Sequence, residues 1–199
     1  MLIVLLTIDR QRQMLSRNRQ PRMRLRGNIF IYQGEELGLP QAHVPFEQLR
    51  DPEAIANWPL TLGRDGARTP IPWRSTMSAA TQAHSWLPVA AEHLALSVDR
   101  QEHDPLSQLA FTRRALALRN ANEALLVGAM RVVEVSDAIL AFERSTSTQR
   151  LLCVFNLGHD ARSWRPAEPE RWRVIERSDG VSGWALPRLS GWIAEWIGT

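Results

Sequence analysis

After Gly128 the chain falls into a succession of short apolar-rich runs at residues 130–135, 139–144, 151–156, 171–177 and 191–197. Turn-forming stretches at 136–137, 145–148, 158–160 and 178–180 separate them. Each run is too short for a stable helix and long enough for a strand, and closely spaced strands of this kind predict a small antiparallel β-sandwich over residues 124–199. The lone Cys153 lies in the apolar run 151–156, so it reads as a buried strand thiol, and a single cysteine excludes an internal disulfide.

The preceding part has a different texture. Residues 28–32 form an unbroken apolar and aromatic run that leads into Gln33, Gly34, Glu35 and Glu36. A run without alternation predicts a strand at 28–33 buried on both faces, as in a parallel sheet or barrel. Polar residues crowd its C-terminal end, where barrel enzymes place their sites, although Glu35 and Glu36 equally suit a turn cap. Residues 40–103 are proline-rich and carry no long periodic segment, so they predict a long irregular connection, with Trp58, Trp73 and Trp86 arguing that it is ordered. Asp104 and Pro105 then suit an N-cap and first helical position, with Leu106, Leu109, Ala110, Leu116 and Ala117 at helical spacing until about Asn122.

Residues 1–26 stand apart. They hold seven Arg against the single acid Asp9, so the overall charge of +3 divides into +6 there and −3 over residues 27–199. With no sustained apolar period of 2 or 3.6 over residues 7–26, this arm predicts disorder. All 24 basic residues are Arg, a bias that phosphate recognition does not require, so no nucleic-acid partner is expected. No stretch is long enough to span a bilayer, and the apolar start lacks a cleavage site, which together predict no membrane partner and a cytoplasmic location.

Two segments carry a family resemblance. The stretch GNIFIYQGEELG at 27–38 is similar to the eighth-strand segment of α-glucosidases of glycoside hydrolase family 13, and GRDGARTPIPW at 63–73 resembles the arginine motif of oligo-1,6-glucosidases and their relatives. WLP at 86–88, DRQ at 99–101 and the helix beginning at Asp104 agree with them. The resemblance implies the last strand and helix of a (β/α)8 barrel over residues 27–123, followed by a β-sandwich, domain C. Residues 1–24 do not match, and a frameshift or misassigned start upstream of about Arg26 would account for the arm.

The activity implied is hydrolysis of terminal, non-reducing α-linked glucose from oligosaccharides or sucrose, with retention of configuration. That chemistry needs two carboxyl groups about 5 Å apart. In the family they come from upstream barrel strands, so no catalytic residue is assigned within this chain, which is expected to be inactive alone. No cofactor or metal is implied. Arg64, matching the first Arg of the motif, is the expected substrate-binding residue, pairing with an upstream Asp and the terminal sugar hydroxyl through its fixed fork. Gln33 is a second pocket candidate, and Arg68 a structural anchor. Two other functions fit parts of the sequence: a noncatalytic carbohydrate-binding module, suggested by eight Trp, and nucleic-acid binding through the Arg-rich arm.

Overall fold

The computed structural model describes residues 21–61, 63–76, 84–178 and 180–198. By contacts the chain divides into two units, Phe30–Arg114 and the residues on either side of it. The division falls inside the helix Gln108–Ala121 rather than at residue 123.

The second of these units is built on β1 (Ala129–Val135), β2 (Ile139–Ser145), β3 (Arg150–Asn156), β5 (Trp172–Arg177) and β7 (Ser190–Trp196), antiparallel in the order β1-β2-β3-β7-β5. All five correspond within a residue or so to the runs expected from sequence. β4 (Arg162–Ser163) and β6 (Ala185–Leu186), too short to leave a periodic signal, pair as a separate two-stranded sheet.

Period-two alternation explains how the central strands serve two cores. Leu151, Cys153 and Phe155 of β3 face one cluster with Phe142, Ile193, Ala124 and Leu125. Leu152 and Val154 face the other, with Ala141, Trp172, Trp192, Ala194 and Leu186. Cys153 is fully buried, as expected, and burial pushes its thiol pKa up to about 12. Gly191 has no tolerable substitute here, because a Cβ would lie 2.4 Å from Cδ1 of Phe155.

Where the sequence predicts a disordered arm through residue 26, Pro21, Met23 and Arg24 are instead buried, and residues 1–20 lie outside the described set. Arg22–Arg24 makes a 3-10 turn, with Met23 and Arg24 buried. The physical reason lies in two buried arginines elsewhere. Arg119 donates to the carbonyls of Met23, Leu25 and Gly27 at 3.0, 3.1 and 2.7 Å, and Arg144 to those of Arg24 and Gly128 at 2.7 and 3.0 Å. Burial lowers the pKa of both guanidiniums.

The helix Gln108–Ala121 starts later than Asp104 and Pro105 suggest, because Ser107 supplies the cap: its Oγ accepts from Ala110 N at 3.1 Å and donates to Gln101 O at 2.8 Å. Asp104 only closes a turn, accepting from Leu106 N. The buried stripe is Leu109, Thr112, Ala115, Arg119 and Asn122, whereas Leu106 is exposed. Polar residues occupying buried helical positions hid this face from an apolar count.

Residues 28–33 form no strand ladder, and Phe30 is 85% exposed. An extended run becomes a strand only through a neighbour's hydrogen bonds, and among the described residues none runs alongside it. Within Phe30–Arg114 the connection is ordered, but not by its tryptophans, since Trp73 and Trp86 are both about 70% exposed. A small apolar cluster of Val44, Leu49, Ala54 and Leu87 is supplemented by buried polar side chains that hold backbone groups. Gln101 is typical: its amide donates to Leu37 O and Leu96 O at 2.8 and 2.7 Å and accepts from Leu109 N at 3.0 Å.

Candidate active-site loop

Two aspartates build the loop that carries the arginine motif. Asp51 precedes Pro52 and caps the helix Pro52–Ala56, accepting from Glu53 N. The same carboxylate accepts from the backbone N and Nε of Arg64, both at 2.9 Å, and from Nη2 at 2.6 Å. Reciprocally, Asp65 accepts from Arg50 N and Asp51 N at 2.6 and 2.8 Å. Segments 50–51 and 64–65 are thereby cross-tied by each other's side chains.

Glycine permits the close approach this requires: a Cβ on Gly63, where φ is +57°, would lie 2.3 Å from that of Ala54, and one on Gly66 would lie 2.1 Å from Ala42 O. The hydrogen bonds from Arg64 hold the Asp51 carboxyl well below the usual carboxylate range.

Among the described residues the carboxylate that pairs with Arg64 is Asp51, thirteen residues away in the same loop. Two of the guanidinium nitrogens are committed to that side chain, which is itself inaccessible, while the Arg64 side chain remains 59% exposed. Gln33 is brought to the motif, donating through Nε2 to Thr69 O at 3.3 Å. Arg68 Nε lies 3.4 Å from the Tyr32 hydroxyl. Tyr32, Gln33, Arg68 and Thr69 thus converge, and Arg64 is turned to Asp51.

Buried His93 ties the motif to the preceding segment: its Nε2 donates to Pro40 O at 2.8 Å, an oxygen that can only accept, and its Nδ1 shares a hydrogen bond with Thr69 Oγ1 at 3.4 Å. Farther along, Pro72 O and Trp73 O accept from Val98 N and Asp99 N.

Glu35 closes a turn, its Oε2 accepting from Tyr32 N at 3.2 Å. Asp51, Asp65 and His93 were missed by sequence reasoning. Only Asp51 left a legible sign, as Asp before Pro with Glu53 following.

The family pattern described as "Alpha amylase, catalytic domain" matches residues 10–128. The chain belongs to the alpha-amylase family, glycoside hydrolase family 13. Because the match begins at residue 10, the foreign composition of the arm does not place all of it outside the family, contrary to the expectation for residues 1–24.

This family 13 chain is 44% identical over 140 residues to a probable alpha-glucosidase of Rhizobium meliloti (strain 1021), covering 70% of the chain and 25% of that relative. It is 29% identical over 156 residues to a probable oligo-1,6-glucosidase 2 of Bacillus subtilis (strain 168), covering 68% and 28%. The alpha-glucosyl transfer enzyme XgtA superimposes with a TM-score of 0.80 at 35% identity, over 92% of this chain and 35% of that one. A trehalulose synthase, at 22% identity with a TM-score of 0.75, shares the fold. The fold is accordingly that of the end of a family 13 barrel followed by an antiparallel β domain, and the chain spans about a quarter of the length of the curated relatives it matches. No helix among the described residues is long and apolar enough to cross a membrane.

Proposed function

We propose that this chain supplies one wall of an α-glucosidase site that removes terminal, non-reducing α-linked glucose from oligosaccharides or sucrose by a retaining mechanism. The convergence of Tyr32 and Gln33 with Arg68 and Thr69 carries this reading, because it gathers hydrogen-bonding groups at the end of the segment that resembles the eighth barrel strand. The 44% identity to a probable alpha-glucosidase supports the reaction class.

In this reading Gln33 lines the pocket and Arg68 is the arginine directed at sugar hydroxyls. Arg64 braces the loop from behind through Asp51. The alternative, in which Arg64 itself binds glucose, draws on its exposure and on the part of the fork not spent on Asp51. The family resemblance places the two carboxyl groups that retaining hydrolysis requires on upstream barrel strands, and Glu35 and Glu36, adjacent in the chain, are not suited to flank one glycosidic bond.

Hydrolysis of p-nitrophenyl α-glucoside tests both levels. The chain alone is expected to show no turnover. Grafted in place of the matching segment of the Rhizobium meliloti relative, it is expected to restore activity. In that chimera Arg68→Ala should lower kcat/KM by about 30- to 1000-fold, the loss of a charge-assisted contact to the transition state. Arg68→Lys should recover little of it, because an ammonium lacks the planar fork. A folded Arg68→Ala chimera with unchanged kcat/KM, beside an Arg64→Ala chimera that loses it, would return the sugar-binding role to Arg64.

A further inference from the structure

One face of the five-stranded sheet holds a concavity. Register places Arg131 of β1 beside Glu143 of β2, Glu143 beside Leu152 of β3, and Trp172 of β5 beside Trp196 of β7. With Arg150, two residues along β3 from Leu152, and Trp164 from the loop after β4, these groups line a cavity of about 230 Å³.

Its polar groups are fixed in advance. Glu143, whose side chain is 10% exposed, accepts from Arg150 Nε and Nη2 at 3.1 and 2.7 Å and from Arg131 Nη2 at 2.9 Å. Arg150 also stacks on two indoles, 5.2 Å from the ring centre of Trp172 and 4.9 Å from that of Trp196. Burial works against ionisation of Glu143, and the bonds from Arg150 and Arg131 outweigh it, so its carboxyl lies below its ordinary value.

We propose that this cavity binds a single neutral pyranose ring of an oligosaccharide. No strong charge of either sign selects for an ion: of the lining groups Arg131 and Arg150 are both paired with Glu143, and Glu168 is paired with Arg171 at 2.9 Å. Indole edges beside immobilised donors and acceptors suit a compact ligand with a short apolar flank and a rim of hydroxyls. The volume agrees, being below the roughly 300–1,000 Å³ of pockets for drug-sized ligands. Because guanidiniums and carboxylate are already locked together, binding costs little side-chain ordering. The choice of an α-linked glucosyl ring as probe rests on the function proposed above; the preference for a neutral pyranose does not.

The test is titration of maltotriose into the 199-residue chain, followed by calorimetry and saturation-transfer NMR. Binding with Kd on the order of 1 mM is expected. Ala167→Trp, an exposed rim residue enlarged to fill the space, should weaken it at least about tenfold with an unchanged melting temperature. Arg131→Ala, which leaves the Arg150–Glu143 pair intact, should weaken it several-fold, and Arg162→Ala, at an exposed pair outside the cavity lining, should leave it unaltered. Cellotriose bound in place of maltotriose, with the same sensitivity to Ala167→Trp, would keep the pyranose site and count against the α-glucoside reading alone. Absence of binding of either sugar at tens of millimolar, or equal binding by a folded Ala167→Trp chain, would overturn the proposal.

Discussion

The five-stranded sheet has a buried apolar cluster on each face, nine residues on one and seven on the other, whereas the described cluster of Phe30–Arg114 contains four. The smaller cluster is accompanied by buried Asp51, Asp65, Thr69, His93, Ser97 and Gln101. One region is ordered by the area its strands remove from water, spread over many residues. The other depends on individual polar side chains, among which Asp51, Asp65 and Gln101 each satisfy two or three backbone groups. The first mechanism tolerates polar change at its surface and is costly to disturb at its centre, and the second concentrates the cost at a few polar positions.

The largest effect should follow from emptying the sheet. Phe155→Ala removes a ring that is 1% exposed and packed on Phe142 and Gly191, and should cost about 3–5 kcal/mol in urea unfolding followed by far-UV dichroism. A cost below about 1 kcal/mol would show that the two clusters are loosely packed, and would remove the contrast.

His93→Ala should act through the other mechanism, leaving Pro40 O and Thr69 Oγ1 without their partner, at about 1–3 kcal/mol. Its signature is faster proteolysis within residues 40–103. Undiminished protection there would mean that the apolar cluster carries the loop without its polar ties.

A smaller effect should appear with pH. The carboxyl of Asp51 is depressed by Arg64, so its contribution is complete above its unfolded pKa of about 4 and is lost as pH falls through the lower folded value. Proteolysis of residues 40–103 should therefore accelerate below about pH 4, and Arg64→Ala should flatten that dependence. The smallest effect belongs to Arg162→Ala, at an exposed pair with Asp160 3.8 Å apart, which should change stability by less than about 0.5 kcal/mol.

Legibility in the sequence follows the same division. The five longer strands could be read because alternation is a local property, repeated within each run. The two-residue strands Arg162–Ser163 and Ala185–Leu186 left no period to read. In the helix Gln108–Ala121 the existence of the element was legible but its inward face was not, because Thr112 and Arg119 are buried to bind the carbonyls of Glu36 and of the 23–27 segment. At the loop, the sequence marked Arg64, Gln33 and the motif between Gly63 and Trp73, but not that Asp51 would hold Arg64.

By itself the sequence determined the family, the run of strands after Gly128 and the glycines that let the arginine loop close, since these depend on residue type and short-range spacing. Only the tertiary structure decided which carboxylate takes which guanidinium, that Pro21, Met23 and Arg24 are packed rather than free, and that Arg131, Glu143 and Arg150 meet beside Trp172 and Trp196. Those outcomes depend on bonds between residues up to 120 positions apart, such as Arg144 to Arg24 O. A pairing at that separation is set by strand register and by where buried carbonyls are left wanting a donor, which no local pattern records.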